Sequence, residues 1–319
     1  MMNFWKRTAE KLESGKMLFL MVVIKSKGSS PGKAGFKMVV SEDGDIWGSI
    51  GGGAMEYRLA EHCRRLIKQK NTTIFFQKQD HHPDSKEATS GMICSGVQWI
   101  GFYPLTDENK TLIRQIENIE INRFPDVVSY TETGIMVADP KAGNNYPISQ
   151  INKNQWIFAE QPGIRNKLFI FGAGHVSLAL SKMAKEIGFD IALFDNRKQI
   201  NTFEENTYAD SKTIINYADA WKNVPEGNHV FVVIMTFAHL SDTQILKQML
   251  PKKIKYLGMM GSDLKVQSVF KILQNEGASK QTLSKVDAPI GLSINSITPA
   301  EIAISIMAKI IKVKNSDIQ

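Results

Sequence analysis

The 319 residues carry 39 Lys and Arg against 32 Asp and Glu, a net charge of +7, with 43% hydrophobic and 22% charged residues. That length suits two domains, each with its own core, and the balance is that of a globular protein, not a disordered or fibrous one. The cations are interleaved with acids and form no basic stripe flanked by stacking aromatics, so nucleic acid is not the expected partner, and two cysteines, Cys63 and Cys94, argue against a disulfide framework and for a reducing, cytoplasmic setting.

Phe4, Trp5, Thr8 and Leu12 fall at helical spacing ahead of Gly15, which predicts an opening helix. The apolar run 17–24 is too short to span a bilayer, which takes about 20 residues, and has no small-residue cleavage site after it, so it reads as a buried strand and not a signal segment. Strands follow at 36–41 and 46–50 around the turn 42–45. Met55, Leu59, Cys63 and Leu66 share one face of a helix over 54–68, with Cys63 in its core. Strands at 73–77 and 96–104 flank a polar loop; a helix near 107–118 and a hairpin over 126–139 come next. Residues 140–166, rich in Asn, Pro, Lys and Gly, read as the passage between an amino-terminal domain, 1–160, and a second domain, 161–319. From Lys167 short apolar strands (167–172, 190–195, 213–217, 229–236, 255–260) alternate with helices, which requires crossover connections and hence a doubly wound parallel sheet. The fold class is therefore α/β: a Rossmann-like carboxy-terminal sheet with a smaller α+β domain before it.

Several short motifs carry chemistry. The loop "GAGHVS", 172–177, follows the first strand of the second half and opens a helix; Gly172 and Gly174 fit the turn and the close approach of a dinucleotide fingerprint, with His175 at the helix start and Ser177 in the small third position. Asp195 ends the second strand 21 residues after Gly174, where an acid accepts a ribose; Arg197 just beyond it suits a 2′-phosphate instead, so NAD and NADP both stay open. The competing reading is that the glycines serve only the chain's own turn. In the first half, Gly51, Gly52 and Gly53 precede a helix whose first amides suit an anion, with Glu56 placed to meet the helix dipole, and Ser29, Ser30 and Lys33 on 28–35 form a second wall. A tight strand-to-helix joint explains the triplet equally well.

His81, His82, Asp84 and Cys94 lack the short, regular ligand spacing of a zinc site. His239 follows the fourth strand at the edge where such sheets bind ligands, and an ordinary helix-start histidine is the alternative. Ser262 reads as a helix cap, and Thr298, Pro299 and Glu301 as a capping box.

The stretches "GSSPGKAGFKMVV", "GSIGGGAMEYRL", "GMICSG", "LFIFGAGHVSLAL", "YLGMMGS" and "APIGLSINSITPAEIAISIMAKII", in this order over nearly the whole chain, resemble the xanthine dehydrogenase accessory factor family, XdhC/CoxI. The resemblance implies a homodimeric accessory protein that binds the molybdenum cofactor, works with a cysteine desulfurase on its sulfuration and delivers it to a molybdenum hydroxylase. Three departures from the family pattern stand out. Ala54 replaces a cysteine common after the triplet, Ser95 replaces a glycine beside Cys94, and the arginines usual near "SSP" are missing, leaving Lys33. Cys94 is then the matched thiol for molybdenum or sulfur. An NAD(P)-dependent oxidoreductase and a nucleotide-sensing module are the rival readings of the same fingerprint.

Overall fold

A computed structural model describes residues 3–80, 96–141 and 144–316. The chain divides into two compact units between Ile164 and Arg165.

The first unit begins with α1 (Phe4–Glu13), whose amino end is capped by Asn3 Oδ1 accepting from Trp5 N at 3.0 Å. β1 (Leu18–Lys27), β2 (Lys37–Ser41), β3 (Ile46–Gly48), β4 (Phe75–Asp80) and β5 (Val97–Leu105) form an antiparallel sheet in the order β3-β2-β1-β5-β4. α2 (Gly53–Lys68) lies between β3 and β4 in sequence, and α3 (Lys110–Asn122) follows β5. β1 is the unbroken apolar run because both of its faces are covered. Phe19, Met21 and Val23 join Met55, Leu59 and Cys63 of α2, while Leu18, Leu20, Val22 and Ile24 meet α1, α3 and a second sheet. That sheet, β6 (Val127–Thr131), β7 (Gly134–Ala138), β8 (Ile148–Asn152) and β9 (Gln155–Glu160), is antiparallel in the order β7-β6-β9-β8. Trp156 Nε1 donates to Tyr103 Oη at 2.8 Å, joining the two sheets inside their shared core.

This corrects the reading of 140–166 as a passage between domains. Residues 148–160 of that stretch are the β8–β9 hairpin, integral to the first unit.

The second unit contains β10 (Lys167–Phe171), α4 (His175–Glu186), β11 (Asp190–Asp195), α5 (Asn201–Glu204), β12 (Ser211–Ile214), β13 (Gly227–Ile234), α6 (His239–Met249), β14 (Ile254–Met259), α7 (Asp263–Asn275), α8 (Lys280–Leu283) and α9 (Pro299–Lys314). Its strands run parallel in the order β12-β11-β10-β13-β14. Alternation along β10 sends Leu168 and Ile170 to a core with α4 and α9, and Phe169 and Phe171 to a core with α6 and α7. The unit is the expected doubly wound α/β sheet, and Phe171, Phe194 and Ile234 stand in register at its carboxyl edge. The third strand ends at Ile214 instead of residue 217, because Asn216 accepts from Ala218 N and starts a short 3-10 helix carrying buried Tyr217. Thr298 and Glu301 form the expected capping box of α9.

Candidate functional site

Sequential strands reverse direction across the sheet between β10 and β13, and the crevice beyond their carboxyl ends is where open α/β sheets take ligands. Gly172 sits there at φ +107°, its N–H donating to Phe194 O at 2.7 Å. A Cβ on it would lie 2.3 Å from Met235 O, so its glycine character serves the close approach of the β10 and β13 ends. Gly174 differs. It is the N-cap of α4 at φ −81° with no side-chain cap hydrogen bond, and a Cβ there would meet nothing within 4 Å. Ser177, fully buried, donates from Oγ to Gly174 O at 2.8 Å, and His175 stands exposed at the helix start.

Asp195 is not the open ribose acceptor that its position suggests. Its Oδ2 accepts from Ala173 N at 2.8 Å and Arg197 Nη2 at 2.9 Å, and its Oδ1 from Arg197 N at 3.0 Å and Arg197 Nε at 2.9 Å. Burial pushes this carboxyl up, but the Arg197 guanidinium and the two backbone amides outweigh it and hold it below the usual range. The carboxylate is sealed while the guanidinium faces out, its side chain 44% exposed, 5.9 Å from the Phe237 ring centroid.

A second buried carboxylate flanks the same strand end. Asp242 Oδ1 accepts from Thr236 N at 2.9 Å and Thr236 Oγ1 at 2.6 Å, and its Oδ2 pairs with Lys265 Nζ, which also donates to Met260 O at 3.1 Å. Lys265 carries no signal in the sequence as a site residue, and Asp242 stands there only beside His239 after the fourth strand. His239, which did, is the exposed first residue of α6; Thr243 Oγ1 donates to its carbonyl at 2.8 Å. Ser262 caps α7 as expected.

In the first unit Gly51, Gly52 and Gly53 have φ of +132°, +78° and +68°, a run of positive values that side chains resist. The expectation that these amides wait for an outside anion is corrected for most of the turn. Glu56 Oε2 accepts from Ile50 N at 2.9 Å, Gly52 N at 2.9 Å and Ser49 Oγ at 2.7 Å, and Gly51 N donates to Ser49 Oγ at 3.1 Å. The carboxylate already in the helix's first turn is the anion that the turn holds; Gly53 and Ala54 lie exposed beyond it.

The 28–35 loop lies directly against the glycine turn. A Cβ on Gly51 would lie 2.7 Å from Gly32 N, and buried Gln98 donates from Nε2 to Gly32 O at 3.1 Å and Ile50 O at 2.9 Å, tying the two loops together. Ser30 is buried and donates to Gly32 O at 3.0 Å, while Ser29 is exposed. Lys33 Nζ donates to Gly28 O, at 3.2 Å, within its own loop. Gly96 packs against the Ser29–Ser30 backbone.

His81, His82, Asp84 and Cys94 lie outside the described residues. Among the described residues no group of three His, Cys, Asp or Glu is placed to hold a metal ion, and no helix is long and apolar enough to cross a membrane. Cys63 is the core residue expected: burial pushes its thiol up to about 12. In a Cys94→Ser variant, which leaves Cys63 as the remaining thiol, Ellman's reagent should therefore release no chromophore from the native protein and one equivalent after denaturation. Release before denaturation would show that α2 opens.

Residues 12–77 match the family described as XdhC and CoxI, and residues 168–310 match its XdhC Rossmann domain. The chain belongs to the XdhC/CoxI family. Both of its characteristic parts are present in order, one over the glycine turn and one over the parallel sheet. Among curated relatives, the chain is 25% identical to the uncharacterized protein YqeB of Escherichia coli strain K12, over 99% of this chain. It spans 47% of that protein, about half its length. It is 21% identical to a Bacillus subtilis strain 168 protein described as a probable xanthine dehydrogenase subunit, over 98% of both chains. A crystal structure described as a xanthine dehydrogenase from Bacillus halodurans has the same fold, with a TM-score of 0.70 at 23% identity, covering 97% of this chain and 95% of that one.

Proposed function

We propose that this protein is an accessory factor in the maturation of a molybdenum hydroxylase of the xanthine dehydrogenase type. It holds the molybdenum cofactor as cargo, assists its sulfuration together with a cysteine desulfurase, and acts as a homodimer in the cytoplasm. The observation that carries this reading is the ordered match of both halves to the XdhC/CoxI family. The description of the Bacillus subtilis relative, which names xanthine dehydrogenase, points to the same class of client.

The chemistry of the surface suits a transient guest. The cargo carries phosphate, and helix-start amides with a few cations hold phosphate without the permanence of a metal cage. α4 offers such a start, with Arg197 nearby. The glycine triplet is the poorer phosphate site, since Glu56 would have to leave before another anion could enter. Ala54 brings no thiol, so sulfur handling at this protein falls to Cys94.

The test is to produce a xanthine dehydrogenase-type client with and without this protein in a host that makes the cofactor. Client activity per mole of client should fall at least ~10-fold in its absence, a difference of about 1.4 kcal/mol if read as an equilibrium. The accessory protein, purified and oxidised in acid, should release a fluorescent pterin. Equal client activity in both hosts, with no pterin released, would remove the reading.

A further inference from the structure

Large apolar side chains stand in water along one edge of the parallel sheet. Phe237, shortly after β13, is 90% exposed; Leu240, in the first turn of α6, 66%; Leu264, in the first turn of α7, 79%; and Ile297, just before α9, 84%. The fold puts all four at the carboxyl edge. α6 and α7 follow β13 and β14, and their starts are tied together by Lys265 on Asp242. α9 begins at that edge too, because its last residue lies at the opposite one, where Lys314 Nζ is 6.0 Å from the ring centroid of Phe189, the residue before β11. Phe237 joins this ridge to the crevice at the sheet's carboxyl end, its ring centroid 5.9 Å from the Arg197 guanidinium carbon.

The cores on both faces of the sheet close without these four side chains. A single exposed apolar residue needs no explanation, but together they present on the order of 500 Å² of apolar surface, the upper end of what a monomer shows and a size that is often functional. Area and charge then select the occupant. A stable interface takes about 800 Å² from each partner and a permanent dimer more, so the ridge is too small to hold a second copy and suits the apolar centre of a contact that forms and dissolves. The three helix starts carry no Lys or Arg besides Lys265, which is committed to Asp242 and Met260 O, so the ridge has no free cation to attract a nucleic acid or an anionic lipid surface. Glu301 is likewise answered, by the amides of Ile297 and Thr298. What remains is a nearly uncharged apolar contact for a transient protein partner.

We propose that this ridge is where a molybdenum hydroxylase client docks, through an apolar collar around the mouth of its own cofactor site. The proposal rests on the maturation reading above and names the surface that reading needs. The crevice opens beside Phe237, so a client seated on the ridge closes over the cargo, and the guest passes across without entering open water.

Surface plasmon resonance of the full-length protein against an immobilised, cofactor-free xanthine dehydrogenase-type client tests this, with client activation and released pterin read alongside. Leu240→Ser and Leu264→Ser should each weaken binding at least ~10-fold, the scale of a central interface residue, and lower client activation in step. Both variants should release as much pterin as the parent and melt within about 2 °C of it, since exposed side chains carry little stability. Ile187→Ser, at an exposed apolar residue just after α4 at the other edge, should bind as the parent does. Raising NaCl from about 0.05 to 0.5 M should change the affinity by less than ~3-fold, because few charges meet. Parent-like client binding by both ridge variants overturns the proposal. So does their conversion from dimer to monomer in light scattering, which assigns the ridge to a second copy, or a parallel loss of pterin, which assigns it to the cargo. These outcomes leave the maturation reading standing, whereas a parent that releases no pterin and activates no client removes that reading and the docking with it.

Discussion

Asp242→Ala should destabilise the second unit by about 3 kcal/mol, the lower end of what breaking a buried ion pair costs. The carboxylate is fully buried and makes three contacts: the N–H of Thr236, its hydroxyl, and the ammonium of Lys265. Its removal leaves a buried amide unpaired just beyond β13 and a cation with only 24% of its side chain in solvent. Lys265 keeps its bond to Met260 O and some water, which is why the loss stays at the lower end. Urea unfolding of the full chain, followed by a probe in the second unit, reads the effect as a lowered midpoint with an unchanged slope. The double variant Asp242→Ala, Lys265→Met should recover part of the loss, because the stranded charge is gone. A loss under about 1 kcal/mol for the single variant would mean that the pair is solvated and contributes as a surface bridge.

Gly172→Ala should be more damaging still, at about 4 kcal/mol, combining backbone strain at φ +107° with overlap against the Met235 carbonyl and the Thr236 Cα. Both obstacles are main chain just beyond the end of β13, so no rotamer change relieves them. The register of β10 against β13, which places Phe171 beside Ile234, would have to shift or open. Gly174→Ala, two residues on, should cost under about 1 kcal/mol, the scale of an N-cap change. Circular dichroism melts of the two variants side by side provide the comparison: similar losses would show that the two glycines do the same structural job, contrary to their surroundings.

That contrast also shows what a sequence discloses and what it withholds. The strand–glycine–helix punctuation, the alternating apolar faces and the Thr298–Glu301 box are local signals, and each appears where the spacing put it. Gly172 and Gly174 are the same letter, however, and only the neighbouring strand tells a packing glycine from a bare one. Asp195 does end its strand, yet its saturation by Arg197 and Ala173 depends on side-chain direction that no spacing encodes. Glu56 looks like a dipole partner and is also the occupant of the turn before it. The β8–β9 hairpin is hard to see in the letters because its two-residue turn, at Lys153 and Asn154, places a lysine at φ +52° where a glycine would have announced it. Asp242 with Lys265, and Gln98 with its two carbonyls, are long-range pairs between residues that carry no motif.

Gln98 has a consequence for any shortened version of this protein. The stretch that matches the family around the glycine turn ends at residue 77, and the amide clamping that turn arrives only with β5. A fragment cut to the matched stretch would own every recognisable letter of the motif and lack the brace that gives those letters their shape.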